Sequence, residues 1–446
     1  MIIDKSIVNN GISIELLNEL IQQHGCLYER YDKLEAYYKG KHDILNRSRQ
    51  SSDVANHTIV CNHAKYITDM SVSYLAGNPI TYSVSEGFDI EPLKNEYLQQ
   101  DISNTDNELI KDVSIFGRAY ELIYVDESTN PRSVRLNRKN AFVVYDNSAR
   151  KEPLFGVHYY RRFNVSGTCI GVMCTVYTSN MIYEYSSSQD NWKSMELENE
   201  QEHYFGAVPL IEYNNNDERQ GDFEQVITLI DAYNLLQSDR VNDKEQFVEA
   251  FLFLSGIDLD TEQAKKLKKE RILLGFEGSD ARYLSKVMSE SDVEVLRDCL
   301  KNDIHRLSMV PDLSDESFGN NLSGVAIKYK LMGFEQAVKN KERYITKGIR
   351  RRLMLYINFL CTKGSMSQIP LHRIDVIFTR NLPVNELEIS QMIQNLSGIV
   401  SNETLLEQIS FISDSKEEQK LINQEREQNR LDRIKEIEDM AAGGGY

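Results

Sequence analysis

The chain has 446 residues, 41% of them apolar and 27% charged, with a formal net charge of −17. That length exceeds what one hydrophobic core usually serves and points to two to four domains, while the acidic balance excludes a protein that grips DNA by neutralising many phosphates. No apolar run approaches the roughly 20 residues needed to cross a bilayer, the six scattered cysteines do not make a disulfide framework, and "MIIDKSIVNNGIS" lacks the basic and apolar regions of a signal peptide, which makes a cytoplasm the expected place of synthesis.

Residues 12–48 read as helix, with Ser13 as N-cap and Leu16, Leu17, Leu20, Ile21, Tyr28, Tyr31, Leu34 and Tyr38 as an apolar stripe. "HTIVCNHAKYITDMSVSYLAG" fits a second helix stopped by Gly77 and Pro79, and residues 91–116 a third that ends at Gly117. From 119 to 213 the period changes to two. "AYELIYVD", "SVRLNR", "AFVVYD", "LFGVHYYRRF", "CTVYTSNMIYEYS" and "HYFGAVPLIEY" are β-branched and aromatic, with turn residues between them, and predict mostly antiparallel strands.

At 222 the helical period returns, with Phe223, Val226, Ile227, Ile230 and Tyr233 apolar and acidic residues between them. Gly256 is expected to end this helix after about 32 residues, nearly 50 Å at about 1.5 Å per residue. Residues 257–291 read as a small insert: "DTEQAKKLKKER" as a short basic helix, "RILLGF" and "ARYLSKV" as strands. A helix over 292–309 follows, with Val293, Leu296, Leu300, Ile304 and Leu307 as its seam. Then comes "PDLSDESFGNNLSG", polar and glycine-bearing, and longer than a helix–helix turn requires. It reads either as a solvated connection or as a working loop.

The next helix runs for roughly 40 residues, about 60 Å if continuous. Gly324, Gly333 and Gly348 would each cost it about 1 kcal/mol relative to alanine and so signal close packing or a bend. A strand at 372–379 and helices at 385–396, 402–412 and 414–440 complete the pattern, and "GGGY" is expected to be mobile.

No phosphate-cradling, GxSxG, HExxH or kinase motif occurs. His57, Cys61 and His63 lie close in sequence, but their spacing is not a zinc pattern; a helix with surface histidines and a packed cysteine fits them as well. Cys169 and Cys174 read as small core residues. Acidic helix faces are usually only solvated, although here they belong to an unusually long helix. The basic runs "KKLKKER" (265–271) and "KGIRRRL" (347–353) suit nucleic-acid contact, a solvated face or pairing with acidic helices; neither has aromatics interleaved to stack bases.

Three stretches, "NHAKYITDMSVSYLAGNPITYS", "RQGDFEQVITLIDAYNLLQSDRVND" and "MVPDLSDESFGNNLSGVAIKYKLMGFEQAVKNKERYITKGIRRRL", stand in an order that resembles the portal (head-to-tail connector) proteins of tailed double-stranded DNA bacteriophages. The chain looks closest to the type found in long, non-contractile-tailed phages of Gram-positive bacteria, from about residue 20 to 440. The resemblance implies an α+β, ring-forming subunit, one of about twelve around a channel, without enzyme activity or cofactor. It implies a mixed α/β wing with mostly antiparallel strands over 1–221, rejoined by 363–384. A long helical stem follows at 222–256 and 292–310, with a small α/β clip at 257–291 between the two helices. A tunnel loop at 311–323, a wing-crossing helix at 324–362, a helical crown at 385–440 and a mobile tail at 441–446 complete the subunit.

In that frame Ser314, Asp315, Glu316, Ser317, Phe318, Gly319 and Asn320 would face DNA in the tunnel loop. Glu224, Asp231, Glu245 and Glu249 would line the stem channel, where carboxylates repel a duplex rather than clamp it. Lys265, Lys266, Lys268, Lys269 and Arg271 of the clip would dock the packaging motor and later the head-completion proteins. The implied partners are sister subunits, passing double-stranded DNA, the terminase large subunit, a head-completion adaptor, and the major capsid and scaffolding proteins, with no membrane. The implied location is the portal vertex of a virion assembled in the host cytoplasm. Two readings from other classes remain beside it: an acidic multi-domain scaffold of a phage head without a channel, and a hydrolase using paired carboxylates.

Overall fold

The computed structural model describes residues 1–8, 11–48, 56–85, 87–248, 251–255, 280–284, 290–313, 324–380, 386–409, 412 and 415–443. The expected basic helix, the strand "RILLGF", residues 314–323 and the tail beyond 443 lie outside them. In chain order the strands are β1 (Ile2–Ile3), β2 (Thr81–Val84), β3 (Arg118–Val125), β4 (Pro131–Leu136), β5 (Ala141–Asp146), β6 (Pro153–Phe163), β7 (Cys169–Tyr177), β8 (Met181–Ser187), β9 (Glu196–Glu202), β10 (Leu210–Asn214), β11 (Phe251–Ser255), β12 (Asp280–Leu284) and β13 (Ile374–Ile377). The helices are α1 (Ile14–Gly25), α2 (Tyr28–Tyr38), α3 (His63–Ala76), α4 (Glu91–Gln99), α5 (Ile102–Phe116), α6 (Ile227–Val248), α7 (Glu290–Ser308), α8 (Gly324–Lys363), α9 (Glu386–Leu396), α10 (Asn402–Leu406) and α11 (Ser415–Gly443). The fold is α+β with mostly antiparallel sheets, in two compact units.

The first unit comprises Met1–Glu35, Lys65–Gln225 and Ser308–Tyr446. Its main sheet has the order β1-β5-β6-β7-β8-β9, antiparallel except for the parallel pair β1–β5. "AFVVYD" explains why β5 lies deep in it. Successive side chains point to opposite faces, and Phe142 and Val144 on one face and Ala141 and Val143 on the other are all buried. On the first face, α1 packs Leu17, Leu20 and Ile21 against Phe142, Val144, Phe155 and Val157. On the second, Ala141 and Val143 meet Tyr120, Leu122, Leu136 and Leu210 of the three-stranded sheet β10-β3-β4. The two sheets come close at Gly156, where an added Cβ would lie 2.5 Å from that of Leu210.

Long α8, 40 residues, buries Leu331, Phe334, Val338, Lys341, Ile345, Ile349, Arg352, Tyr356 and Leu360 at helical spacing. Gly348 belongs to the close packing that its presence suggested, since a Cβ there would lie 2.3 Å from the Tyr213 ring; Gly333 meets nothing within 4 Å. After α8 the chain returns to pair β13 antiparallel with β2. Ser13 caps α1 as expected, its Oγ accepting the Leu16 N–H at 3.2 Å.

Several elements differ from the sequence reading. The helix expected over 12–48 breaks after Gly25 and again at Tyr38, and that over 91–116 breaks at Asp101, whose φ is +52°. In "HYFGAVPLIEY" only the part from Leu210 is strand, while acidic "ELENEQE" forms β9, an exposed edge strand.

The second unit comprises Ala36–Ala64 and Val226–Leu307. Here the helix expected to reach Gly256 is shorter: α6 ends at Val248, and Phe251–Ser255 is a strand paired antiparallel with Asp280–Leu284. A continuous apolar run such as "FLFLS" fits helix and strand alike, and pairing with β12 decides. Of the seam expected on α7 only Ile304 is buried; Leu296 and Leu307 remain 50% and 47% exposed.

Candidate functional site

In the second unit α6 is clasped by the segment that precedes α3. Asn234, Ser238 and Asn242 recur every four residues on one buried line of α6. Their side-chain oxygens accept the N–H groups of Cys61 at 2.8 Å, Ile59 at 2.9 Å and His57 at 2.6 Å. Four helical residues rise about 6 Å and two extended residues about 6.6 Å, so the two repeats stay in step over this length. That ladder satisfies the amides of His57, Ile59 and Cys61 outside a helix, and α3 starts only at His63.

Asn234 is the centre of the arrangement. Its Oδ1 is taken by Cys61, so its Nδ2 faces and donates to His42 Nδ1 at 2.9 Å, leaving the ring proton on Nε2 to donate to Tyr37 O at 3.0 Å. The His42 ring stacks on Tyr37 with centroids 4.5 Å apart. Asn234→Ala strips partners from both the Cys61 amide and His42, at a cost of about 2 kcal/mol. Amide hydrogen exchange at residues 57–61 should accelerate with it; unchanged protection there would show that something other than the ladder holds the segment.

The acidic residues beside this ladder are engaged by the same chain. Asp231 accepts from the Tyr37 hydroxyl at 2.7 Å, Arg47 pairs with Asp239 at 2.6 Å, and His57 Nε2 meets Glu245 at 2.6 Å. Burial, with the Asp231 and Asp43 carboxylates next to it, pushes the Tyr37 phenol well above its ordinary range. In the first unit Glu224 takes a forked pair from Arg30, both bonds at 2.6 Å, and the Gly221 N–H at 2.9 Å. Thus Glu224, Asp231 and Glu245 each hold a partner within the chain. Glu249, the clip cations Lys265, Lys266, Lys268, Lys269 and Arg271, and the loop residues Ser314 to Asn320 lie outside the described residues.

The entry to that loop is described. α7 ends at Ser308, and Met309 turns the chain with φ +57°. The Tyr66 hydroxyl then donates to Pro311 O at 2.9 Å and accepts the Leu313 N–H at 3.1 Å. A single hydroxyl therefore pins the first residues of the segment to α3.

The run "KGIRRRL" resolves differently from a nucleic-acid patch. Arg352 is fully buried and pairs with Asp106 at 2.5 Å and Glu121 at 3.1 Å. Tyr213 donates to Glu121 at 2.5 Å, and Ser133 donates to the same carboxylate. Burial, opposed by Arg352, raises the Asp106 pKa to about 6. Lys341, also buried, donates to Ser114 Oγ at 2.5 Å and Asp222 Oδ2 at 2.6 Å. Sequence reasoning offered pairing with acidic helices for the run that holds Arg352 but singled out neither residue as a buried cation. Their signal was there: each falls on an apolar repeat position of α8, where a charge must be paired.

His57, Cys61 and His63 do not converge. His57 holds Glu245, Cys61 contributes its backbone, and His63 lies edge-on to Tyr233 at 4.9 Å. Among the described residues no three possible ligands gather for a metal. All six cysteines are free, and Cys174 lies in the core beneath α1.

What the fold and these sites define is an α+β protein whose buried polar groups are largely paired within the chain. The chain belongs to the family described as phage portal protein, SPP1 Gp6-like, whose model matches residues 17–430. It is similar to the portal protein of Bacillus phage SPP1, 25% identical over 450 aligned positions that cover 93% of this chain and 86% of that one. It is also similar to the portal protein of Clostridium phage phiCD119, 21% identical over 442 positions covering 93% and 96%. Both are proteins of phages of Gram-positive bacteria. The family makes this chain a component of the phage particle rather than an enzyme. Among the described residues no helix is long and apolar enough to cross a membrane.

Proposed function

We propose that the chain assembles into a closed ring of about twelve copies at one vertex of the capsid and conducts double-stranded DNA during packaging and ejection. The ring forms in the host cytoplasm, among major capsid and scaffolding proteins. It then docks the terminase large subunit and later a head-completion adaptor through the clip cations Lys265, Lys266, Lys268, Lys269 and Arg271. Family membership supports this reading. The observation that carries it is the uncovered apolar surface of the second unit: Leu235 and Val241 on α6, and Val295, Leu296 and Leu307 on α7, are 39–63% exposed in the lone chain. Large apolar side chains left exposed on both helices of this unit support a surface that other subunits cover.

Charge supports the conduit. α6 and α7 together carry nine Asp or Glu against five Lys or Arg, and about twelve copies at −17 give a ring near −200 before counterions. A duplex in such a channel is centred by repulsion rather than held by phosphate contacts. Because Glu224, Asp231 and Glu245 are engaged within the chain, their field at the lumen is reduced, and the loop residues Ser314 to Asn320 become the closest polar contact with DNA.

Deleting residues 315–319 tests the reading. Negative-stain images of the purified variant should still show rings, while packaged heads should lose DNA before tails attach. Normal retention would reduce the segment to a linker, and a wild-type protein without rings would favour the channel-free scaffold.

A further inference from the structure

The first unit carries two charge patches on opposite edges of its main sheet. Beside β1 and the end of β5 lies a cleft of about 510 Å³, walled by the β5–β6 turn, β10 and α8. Six cations line it, Arg150, Lys151, Arg219, Lys347, Arg350 and Arg351, against three carboxylates, Glu152, Glu212 and Asp217. On a chain of −17 a local surplus of this sign is unusual. Arg219 is matched by Glu212 at 3.2 Å and Arg150 by Glu152 at 3.7 Å. Lys151, Lys347 and Arg350 have no carboxylate partner among the described residues, and buried Arg351 Nε has no hydrogen-bond partner.

At the other edge β9 presents Glu196, Glu198, Glu200 and Glu202, all exposed. Ser186 donates to Glu198, but none of the four meets a cation among the described residues. β9 is the last strand of the sheet, with no strand on its outer side. Five strand spacings separate β1 from β9, on the order of 24 Å, so the two patches cannot neutralise each other within one chain. A basic cleft and an acidic edge on opposite sides of one sheet have the complementarity of a head-to-tail contact, the kind that closes into a ring when the rotation permits.

We infer that the cleft receives the acidic β9 edge of a second copy of this chain, Glu200 and Glu202 meeting Lys347 and Arg350. The inference rests on the ring reading above and deepens it by naming one subunit contact. Exposed charges set association and partner choice more than raw affinity, so the contact acts on assembly and depends on salt.

Charge reversal tests it in the full chain by sedimentation velocity. Lys347→Glu with Arg350→Glu, and separately Glu200→Lys with Glu202→Lys, should each raise the concentration for half-assembly by about tenfold or more. Mixed one to one, the two variants should again form rings near the wild-type concentration, because each reversed cleft then faces a reversed edge. That recovery also shows that neither variant is misfolded. Variants that assemble like the wild type, or a mixture no better than its components, would overturn the inference and leave the ring reading standing. Loss of polyphosphate binding in the cleft variant with assembly unchanged would overturn it in favour of a nucleic-acid or free-phosphate occupant. A wild-type chain that forms no ring at any concentration removes the ring reading and this contact with it.

Discussion

Replacing Arg352 with methionine is expected to destabilise the first unit by about 3–5 kcal/mol, because it leaves two buried carboxylates without their cation. Among the described residues Arg352 is the only cation that bonds both Asp106 and Glu121, at 2.5 and 3.1 Å, and both carboxylates are buried. Arg352→Lys keeps the charge but lacks the planar fork that reaches two acceptors, so an intermediate loss should follow. The informative variant is the triple one, Arg352→Met with Asp106→Asn and Glu121→Gln. Removing the whole charge set avoids the stranded anions and should recover most of the loss. Urea midpoints and limited proteolysis of the three proteins rank them; a triple variant no better than Arg352→Met would show that the side-chain shape, and not the charge balance, is what the site requires. Gly348 lies in the same neighbourhood and lets α8 approach the ring of Tyr213, whose hydroxyl bonds Glu121. The long helix is thus positioned by ion pairs and hydrogen bonds as well as by its apolar stripe.

The extent of α8 was legible because its repeat from Leu331 to Leu360 is apolar except at Lys341 and Arg352, and β5 because "AFVVYD" carries a two-sided strand signal. Other elements were settled by contacts distant in sequence. "HTIVC" carries helical periodicity, yet its amides go to Asn234, Ser238 and Asn242, more than 170 residues away. β9 was hidden because glutamate is depleted in strands, and only its position at a solvated edge makes the sequence tolerable there. The candidate site divides in the same way. The acidic character of α6 is plain in the sequence, but nothing local pairs Arg30 with Glu224 or His57 with Glu245. Those pairings give Glu224 and Glu245 partners within the chain, through contacts that only the tertiary fold supplies.

Acid should destabilise the α1 core through His24. This histidine is 1% exposed, and a consistent proton order runs from its Nδ1–H to Tyr159 Oη at 2.6 Å, from Tyr159 to Tyr28 Oη at 2.7 Å, and from Tyr28 to Lys139 O at 2.7 Å. Nε2 is left buried without a partner, so a second proton would have no acceptor. Burial first, and the Arg118 cation second, hold the His24 pKa down to about 3 against an ordinary 6.5. Between those values the unfolded chain binds a proton that the folded one refuses, so stability falls as pH drops through this window, by roughly 1.4 kcal/mol per unit. Asp106 and Asp112 act in the opposite sense: burial raises each to about 6, so the folded chain takes up their protons first and gains stability as pH falls from there toward 3.8. A single stability curve therefore mixes both signs, and the difference between two proteins isolates His24. His24→Asn keeps a polar atom near the Nδ1 position but does not titrate. The wild type should lose roughly 3 kcal/mol relative to this variant between pH 7 and pH 4. Trp192, the chain's single tryptophan, packs 5.3 Å from the Tyr159 ring, so its fluorescence during urea unfolding reports on this core directly. Parallel curves for the two proteins across that range would mean that the buried imidazole acquires its proton without cost, contrary to its lack of an acceptor.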